Sequence, residues 1–104
     1  ILIETGWGEQ WKTQKYFTDY PVLTENAAEF LLSCGVKLIG IDTPSVDKHP
    51  HLAHQVLLGR KILILENLAH LDQLPDTSFQ LIALPLKITG RDGSPVRAVA
   101  RIEE

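Results

Sequence analysis

The stretch His51-Leu-Ala-His-Gln-Val-Leu-Leu-Gly-Arg-Lys-Ile-Leu-Ile-Leu-Glu-Asn-Leu68 decides how this chain is read. It predicts a short helix over 51–58, a stop at Gly59 and an apolar strand over 62–66 that ends in a carboxylate. Glycine just beyond a periodic apolar run terminates helices because it enters the left-handed conformation without steric cost. On the helix, His54 precedes Leu57 and Leu58 by three and four positions, so its imidazole shares a face with residues that favour burial. On the strand, Ile62, Ile64 and Glu66 point one way and Leu63, Leu65 and Asn67 the other. An imidazole and a carboxylate therefore stand on inward faces of neighbouring elements. A core histidine with a local partner and an unrelated solvated glutamate would explain this. A shared metal ion, for which both groups are ordinary ligands, is the other explanation, and two residues alone do not establish it.

Outward from this stretch, the chain of 104 residues fits one small domain, 1–104, with a modest core. Hydrophobic residues make up 44%, and the longest apolar run, Ile62 to Leu65, is far too short to span a membrane. A net charge of −3 with scattered basic residues argues against a nucleic-acid partner. The single cysteine, Cys34, excludes an internal disulfide and fits a reducing, cytoplasmic setting. The sequence contains no methionine and starts on Ile1-Leu-Ile-Glu4, a strand-like segment, which reads as part of a longer polypeptide.

Residues 1–4 are expected to form a buried strand. Trp7 and Trp11 lie in a glycine-containing loop, where paired indoles either wall a pocket or pack beneath the loop. Residues 12–20 show no period and read as loop. Thr24 is a good N-cap for a helix over 24–34, with Ala27, Phe30, Leu31 and Cys34 spaced as a core face and Gly35 closing it. A strand over 37–42 follows, then a turn-rich loop with Asp42, Ser45 and Asp47 close together. Such residues commonly cap backbone amides, but a loop at a strand's carboxyl end is also where α/β proteins bind ligands. Trp7, Asp42 and Ser45 are therefore weak substrate-binding candidates. His49, His51 and His70 read as surface residues. Strands over 79–89 and 96–102, joined by Gly90-Arg-Asp-Gly-Ser-Pro95, form a hairpin. Pro85 implies an edge or bulge. The order of strands and helices predicts an α/β fold.

Four ordered pieces carry a resemblance: Thr5-Gly-Trp7, Gly40-Ile-Asp-Thr-Pro-Ser-Val-Asp47, His54 twelve positions before Glu66, and Leu84-Pro-Leu-Lys-Ile-Thr-Gly-Arg-Asp-Gly-Ser-Pro-Val-Arg-Ala-Val-Ala100. Together they resemble the C-terminal half of the cyclase/kynurenine formamidase family of metal-dependent hydrolases, whose relatives include isatin hydrolases. The resemblance implies a swivelling β/β/α fold and a site for a divalent metal, zinc or manganese. It also implies hydrolysis of amide-like bonds in a small substrate, as in N-formylkynurenine or an isatin-like lactam. Under it, His54 and Glu66 match two metal ligands. The family's His-x-Gly-Thr-His-x-Asp-x-Pro-x-His signature, which supplies the other ligands, is absent, and His49-Pro-His-Leu-Ala-His54 does not replace it. No catalytic residue is assigned in this half. The resemblance implies a part of a hydrolase, inactive alone, completed by the missing N-terminal half or a second chain, with a homo-oligomer expected. The alternative is a non-catalytic binding or assembly module that keeps half of the fold.

Overall fold

A computed structural model describes residues 1–103, which divide into two compact units, Ile1–Asp72 and the remainder from Gln73. The first contains three parallel strands, β1 (Leu2–Ile3), β2 (Leu38–Ile41) and β3 (Leu63–Leu65), in the order β1-β2-β3. Leu2 pairs with Gly40, and Leu38, Ile39 and Gly40 pair with Leu63, Ile64 and Leu65. Each crossover carries a helix, α1 (Glu25–Ser33) and then α2 (Leu52–Gly59). Parallel neighbours need such crossovers because a tight turn cannot return the chain to the same end of the sheet.

The core of this unit is Ala28 from α1, Ile39 from β2, Ala53 and Leu57 from α2, and Ile62 just before β3. Ile62 is buried, Leu63 is exposed and Ile64 packs on the core, so the alternation expected around β3 is present. Thr24 caps α1 by accepting the Ala27 amide at 3.1 Å, and Gly35 has a φ of 75° just beyond the helix.

Several local expectations change. The segment expected as a buried strand over 1–4 is a two-residue strand at the edge of the sheet, half-buried at Leu2 and Ile3 with Ile1 and Glu4 exposed, and the strand expected over 79–89 ends at Pro85. Along α1 the inward residues are Ala28, Leu31 and Leu32, while Phe30 is 67% exposed and Cys34 is also exposed. The run Ala27-Ala-Glu-Phe-Leu-Leu32 admits two helical registers one residue apart, and packing against α2 and β2 selects the second. Gly59 remains the last residue of α2, and the left-handed residue is Lys61, with a φ of 60°. Residues 7–10 and 14–17 form single turns of 3-10 helix, and Tyr16 within the second is among the largest fully buried side chains.

The second unit is a hairpin of β4 (Gln80–Pro85) and β5 (Val96–Arg101), paired antiparallel from Gln80–Arg101 to Pro85–Val96. Val96, Ala98 and Ala100 are half-buried, and Arg97 and Arg101 are exposed on the other face. Pro85 closes β4, where losing its amide donor interrupts no longer ladder. No helix among the described residues is long and apolar enough to cross a membrane.

Candidate metal centre

The carboxyl ends of adjacent strands β2 and β3 lie side by side, and each opens into residues able to bind a ligand. After β2 the chain runs through Asp42 and Thr43 into the loop 44–51. After β3 comes Glu66. The loop is tied down: the Asn67 amide donates to the Thr43 carbonyl at 2.9 Å, and the Leu23 amide to the Val46 carbonyl at 2.8 Å.

α2 starts directly after this loop, so His54 sits in its first turn, above the loop. Its Nε2 lies 3.4 Å from Glu66 Oε1, with both side chains about a third exposed or less. The two residues are thus brought together. Glu66 Oε1 also accepts the Val46 amide at 3.3 Å, which fixes that oxygen relative to the loop.

Asp47 is 4% exposed and lies on the other side of the imidazole. Its Oδ1 is 2.6 Å from His54 Nδ1 and 2.8 Å from His51 Nδ1, and its Oδ2 accepts the His54 amide at 2.9 Å. Burial works against ionisation of Asp47. Hydrogen bonds from the His54 amide and from the two imidazoles, with the proximity of His54, outweigh it and hold the carboxyl below its ordinary value. Asp47, His51 and His54 could each offer one ligand atom, all within 4.8 Å of one another.

The distances distinguish two ways of placing a cation. Bonds to nitrogen and oxygen of about 2.0–2.1 Å in a tetrahedral arrangement separate two ligand atoms by about 3.3–3.4 Å. The 3.4 Å between His54 Nε2 and Glu66 Oε1 matches this spacing. The 2.6 and 2.8 Å separations about Asp47 Oδ1 are hydrogen-bond lengths, too short for an open tetrahedral edge. The donor set fits a divalent cation between His54 and Glu66, with Asp47 behind the imidazole.

The other candidates from the sequence have internal partners. Asp42 accepts the Thr5 amide through both oxygens at 3.1 Å and the Thr5 hydroxyl at 2.6 Å. Trp7 donates its indole N–H to the Tyr16 carbonyl at 2.9 Å. The Ser45 hydroxyl accepts the Asp47 amide at 3.5 Å. His49 and His70 are exposed, as is His51 despite its bond to Asp47.

Tyr20 was not singled out by the sequence. Its hydroxyl donates to the Asp47 carbonyl at 3.2 Å. Burial, then the charges of Asp47 and Glu66, push its phenol above the ordinary value, partly opposed by a hydrogen bond with Ser45. No local pattern marks such a residue, because its partners lie more than twenty positions away.

The Cyclase family model, Putative cyclase, matches residues 1–48. A kynurenine formamidase of Bacillus cytotoxicus is 47% identical over 91 residues, covering 85% of this chain and 43% of that protein. The chain belongs to the cyclase/kynurenine formamidase family. It spans less than half the length of that curated relative. This cyclase-family chain also superposes on an isatin hydrolase bound to the product analogue thioisatinate, with a TM-score of 0.83 and 30% identity over 99% of this chain and 45% of that one. A potential metal-dependent hydrolase with cyclase activity matches with a TM-score of 0.70 and 28% identity, over 86% of this chain and 47% of that one. The α/β arrangement is therefore a cyclase-type fold, present here in part.

Proposed function

We propose that this chain supplies two ligands, His54 and Glu66, to the divalent-metal site of a hydrolase that cleaves amide-like bonds. The observation that carries this reading is the 3.4 Å separation of His54 Nε2 and Glu66 Oε1 at the carboxyl ends of two parallel strands. Similarity to a kynurenine formamidase and to an isatin hydrolase supports an aryl formamide or a cyclic amide as the substrate class. Nitrogen-plus-carboxylate ligation suits zinc or manganese.

With a cation held between them, His54 and Glu66 would place Lewis-acid chemistry at this position: polarisation of the substrate carbonyl and a lowered pKa for the attacking water. The chain's own residues prepare that position. Glu66 brings negative charge and two acceptor oxygens, one of them fixed by the Val46 amide. His54 brings a ring nitrogen, Nε2, from the first turn of α2.

A catalytic zinc commonly takes three protein ligands, and His54 and Glu66 are two. We read residues 1–104 as the C-terminal part of a cyclase domain, with further ligands provided by another segment or a second chain. Exposed Leu84, Leu86 and Val99 support such association, including between copies of this chain.

The test is calorimetric titration of the chain with zinc and with manganese, repeated on His54→Ala and Glu66→Gln. The expected result is weak binding by the wild type and at least tenfold weaker binding by each variant. Affinity unchanged by both substitutions overturns the site. N-formylkynurenine and isatin are then offered to the metal-loaded chain, with negligible turnover expected. Ready hydrolysis would show that no further ligands are needed. The contrasting reading, a non-catalytic module, predicts no metal binding and no effect of either substitution.

A further inference from the structure

We propose that Asp47 is a positioning residue, whose carboxylate locks the His54 imidazole in the Nδ1–H tautomer and turns its Nε2 lone pair toward Glu66. The inference rests on the metal reading above only for what Nε2 then binds.

The argument starts from hydrogen-bond inventory. A carboxylate has acceptors and no donor, and a neutral imidazole has one donor nitrogen and one acceptor nitrogen. At 2.6 Å from Asp47 Oδ1, His54 Nδ1 must carry the proton, since otherwise two lone pairs would face each other. In the neutral ring the lone pair is then on Nε2, 3.4 Å from Glu66 Oε1, a spacing longer than the usual N–H···O bond of about 2.7–3.2 Å and open to a cation between the two acceptors.

Asp47 grips His54 twice. Oδ1 takes the ring N–H, while Oδ2 takes the backbone N–H at 2.9 Å. With both ends of the residue held by one buried carboxylate, the ring has little freedom to flip. The same Oδ2 bond also caps α2, whose own N-cap residue, His51, makes no side-chain capping bond. Asp47 therefore has a structural duty as well, and the test must separate the two.

The neighbouring residue completes the arrangement. The Val46 amide fixes Glu66 Oε1 while Asp47 fixes His54, so two consecutive residues of one loop orient both proposed ligands. Carboxylate partners of this kind hold metal-binding imidazoles in tautomer and orientation, and their loss typically weakens metal binding by about 10–100-fold. His51 shares Oδ1 and its ring meets that of His54 edge-on, but its side chain is 53% exposed and Asp47 Oδ2 holds the His54 amide rather than His51. His51 is not required for the lock.

Long-range proton–nitrogen NMR of the full metal-free chain, recorded above the pH at which the histidine ring signals stop moving, reads the tautomer of each neutral imidazole directly. The wild type should show His54 as a single Nδ1–H form. Asp47→Ala should release it to a mixture or to Nε2–H, and Asp47→Asn, which keeps a neutral acceptor, should restore Nδ1–H in large part. His51→Ala should leave the His54 signals in the Nδ1–H form. A cap alone predicts a less stable helix with no tautomer change in the folded fraction.

Zinc affinity by chelator competition forms the second arm, with a loss of about 10–100-fold expected for Asp47→Ala and a smaller one for Asp47→Asn. An Nε2–H form of His54 in the wild type, or an unchanged tautomer in folded Asp47→Ala, overturns the proposal. If Asp47→Ala does not fold, the wild-type tautomer and Asp47→Asn decide it. A lock that Asp47→Ala abolishes, in a chain that binds no zinc, upholds the positioning role and sinks the metal reading alone.

Discussion

Glu66 Oε1 stands 3.4 Å from His54 Nε2, joining the end of β3 to the first turn of α2. Neither side chain is deeply buried, so the direct pair contributes little to stability, at most about 1 kcal/mol. A cation gripped by both would add stability by mass action, about 2.7 kcal/mol when the free metal is a hundredfold above Kd. Saturating zinc is therefore expected to raise the melting temperature of the wild type, and a chelator to reverse the rise. Glu66→Gln preserves the acceptor for the Val46 amide and removes the charge. Its metal-free melting temperature should stay close to the wild type's, while the zinc-induced rise shrinks or vanishes. An equal rise in both proteins, measured by scanning calorimetry, would place the cation elsewhere.

The Thr24 hydroxyl accepts the Ala27 amide and satisfies one of the free donors at the start of α1. Helix α1 brings Ala28, Leu31 and Leu32 to the core, so fraying there loosens the packing around α2 as well. Thr24→Ala should cost about 1 kcal/mol, within a usual range of about 0.5–2. Thr24→Ser should cost much less. Urea unfolding with an unchanged m value is the appropriate measurement, and equal losses for both variants would rule out the cap as the cause.

Gly40 sits in β2 between Leu2 and Leu68. A methyl group added there would meet the Leu68 Cδ1 at 2.6 Å and crowd the Leu2 Cδ2 more closely still. Its backbone needs no left-handed conformation, so the requirement for glycine is one of space. Gly40→Ala should destabilise by about 1–3 kcal/mol through overpacking. Leu68→Ala in the same chain should recover part of that loss, because one clashing side chain has been withdrawn. Strictly additive losses in the double variant would mean that the crowding is relieved by some other movement.

The parts of this structure legible in sequence are those governed by local periodicity. Alternation in Ile62-Leu-Ile-Leu-Glu66 placed Glu66 on the inward side of its strand, and the spacing to Leu57 placed His54 inward on the helix. Parallel pairing of β2 and β3 then made their carboxyl ends coincide. Where two patterns fit equally, as in the two registers of α1, only tertiary packing chose between them. Asp47 was visible as one acid in a turn-rich loop. Its hold on His54 depends on the loop folding back over the first turn of α2, which no spacing rule encodes. Tyr16 was hidden for the same reason: it lies in a stretch without period, and its hydroxyl bonds reach Asp42 and Asn67, 26 and 51 positions away.

Tyr16 gives the clearest pH dependence. Its hydroxyl lies 2.9 Å from Asn67 Oδ1 and 3.2 Å from the Asp42 carbonyl, and its ring meets Trp11 and Phe17 edge-on. Burial first, then the charges of Asp42 and Glu66, raise its pKa above the ordinary 10.0. The unfolded chain therefore loses this proton at lower pH than the native one. Below pH 10.0 the contribution to stability is fully present, and it falls as pH rises through the higher native value. Tyr16→Phe keeps the ring contacts and removes the one O–H that Asn67 Oδ1 and the carbonyl of buried Asp42 share, which should cost about 1–3 kcal/mol near neutrality. Other groups also titrate in alkali, so the informative quantity is the difference between the two proteins. Urea midpoints taken from about pH 8 to about pH 11 should converge as pH rises, because the wild type alone loses the Tyr16 proton. A gap that stays constant across that range would mean that Tyr16 has the same pKa folded and unfolded.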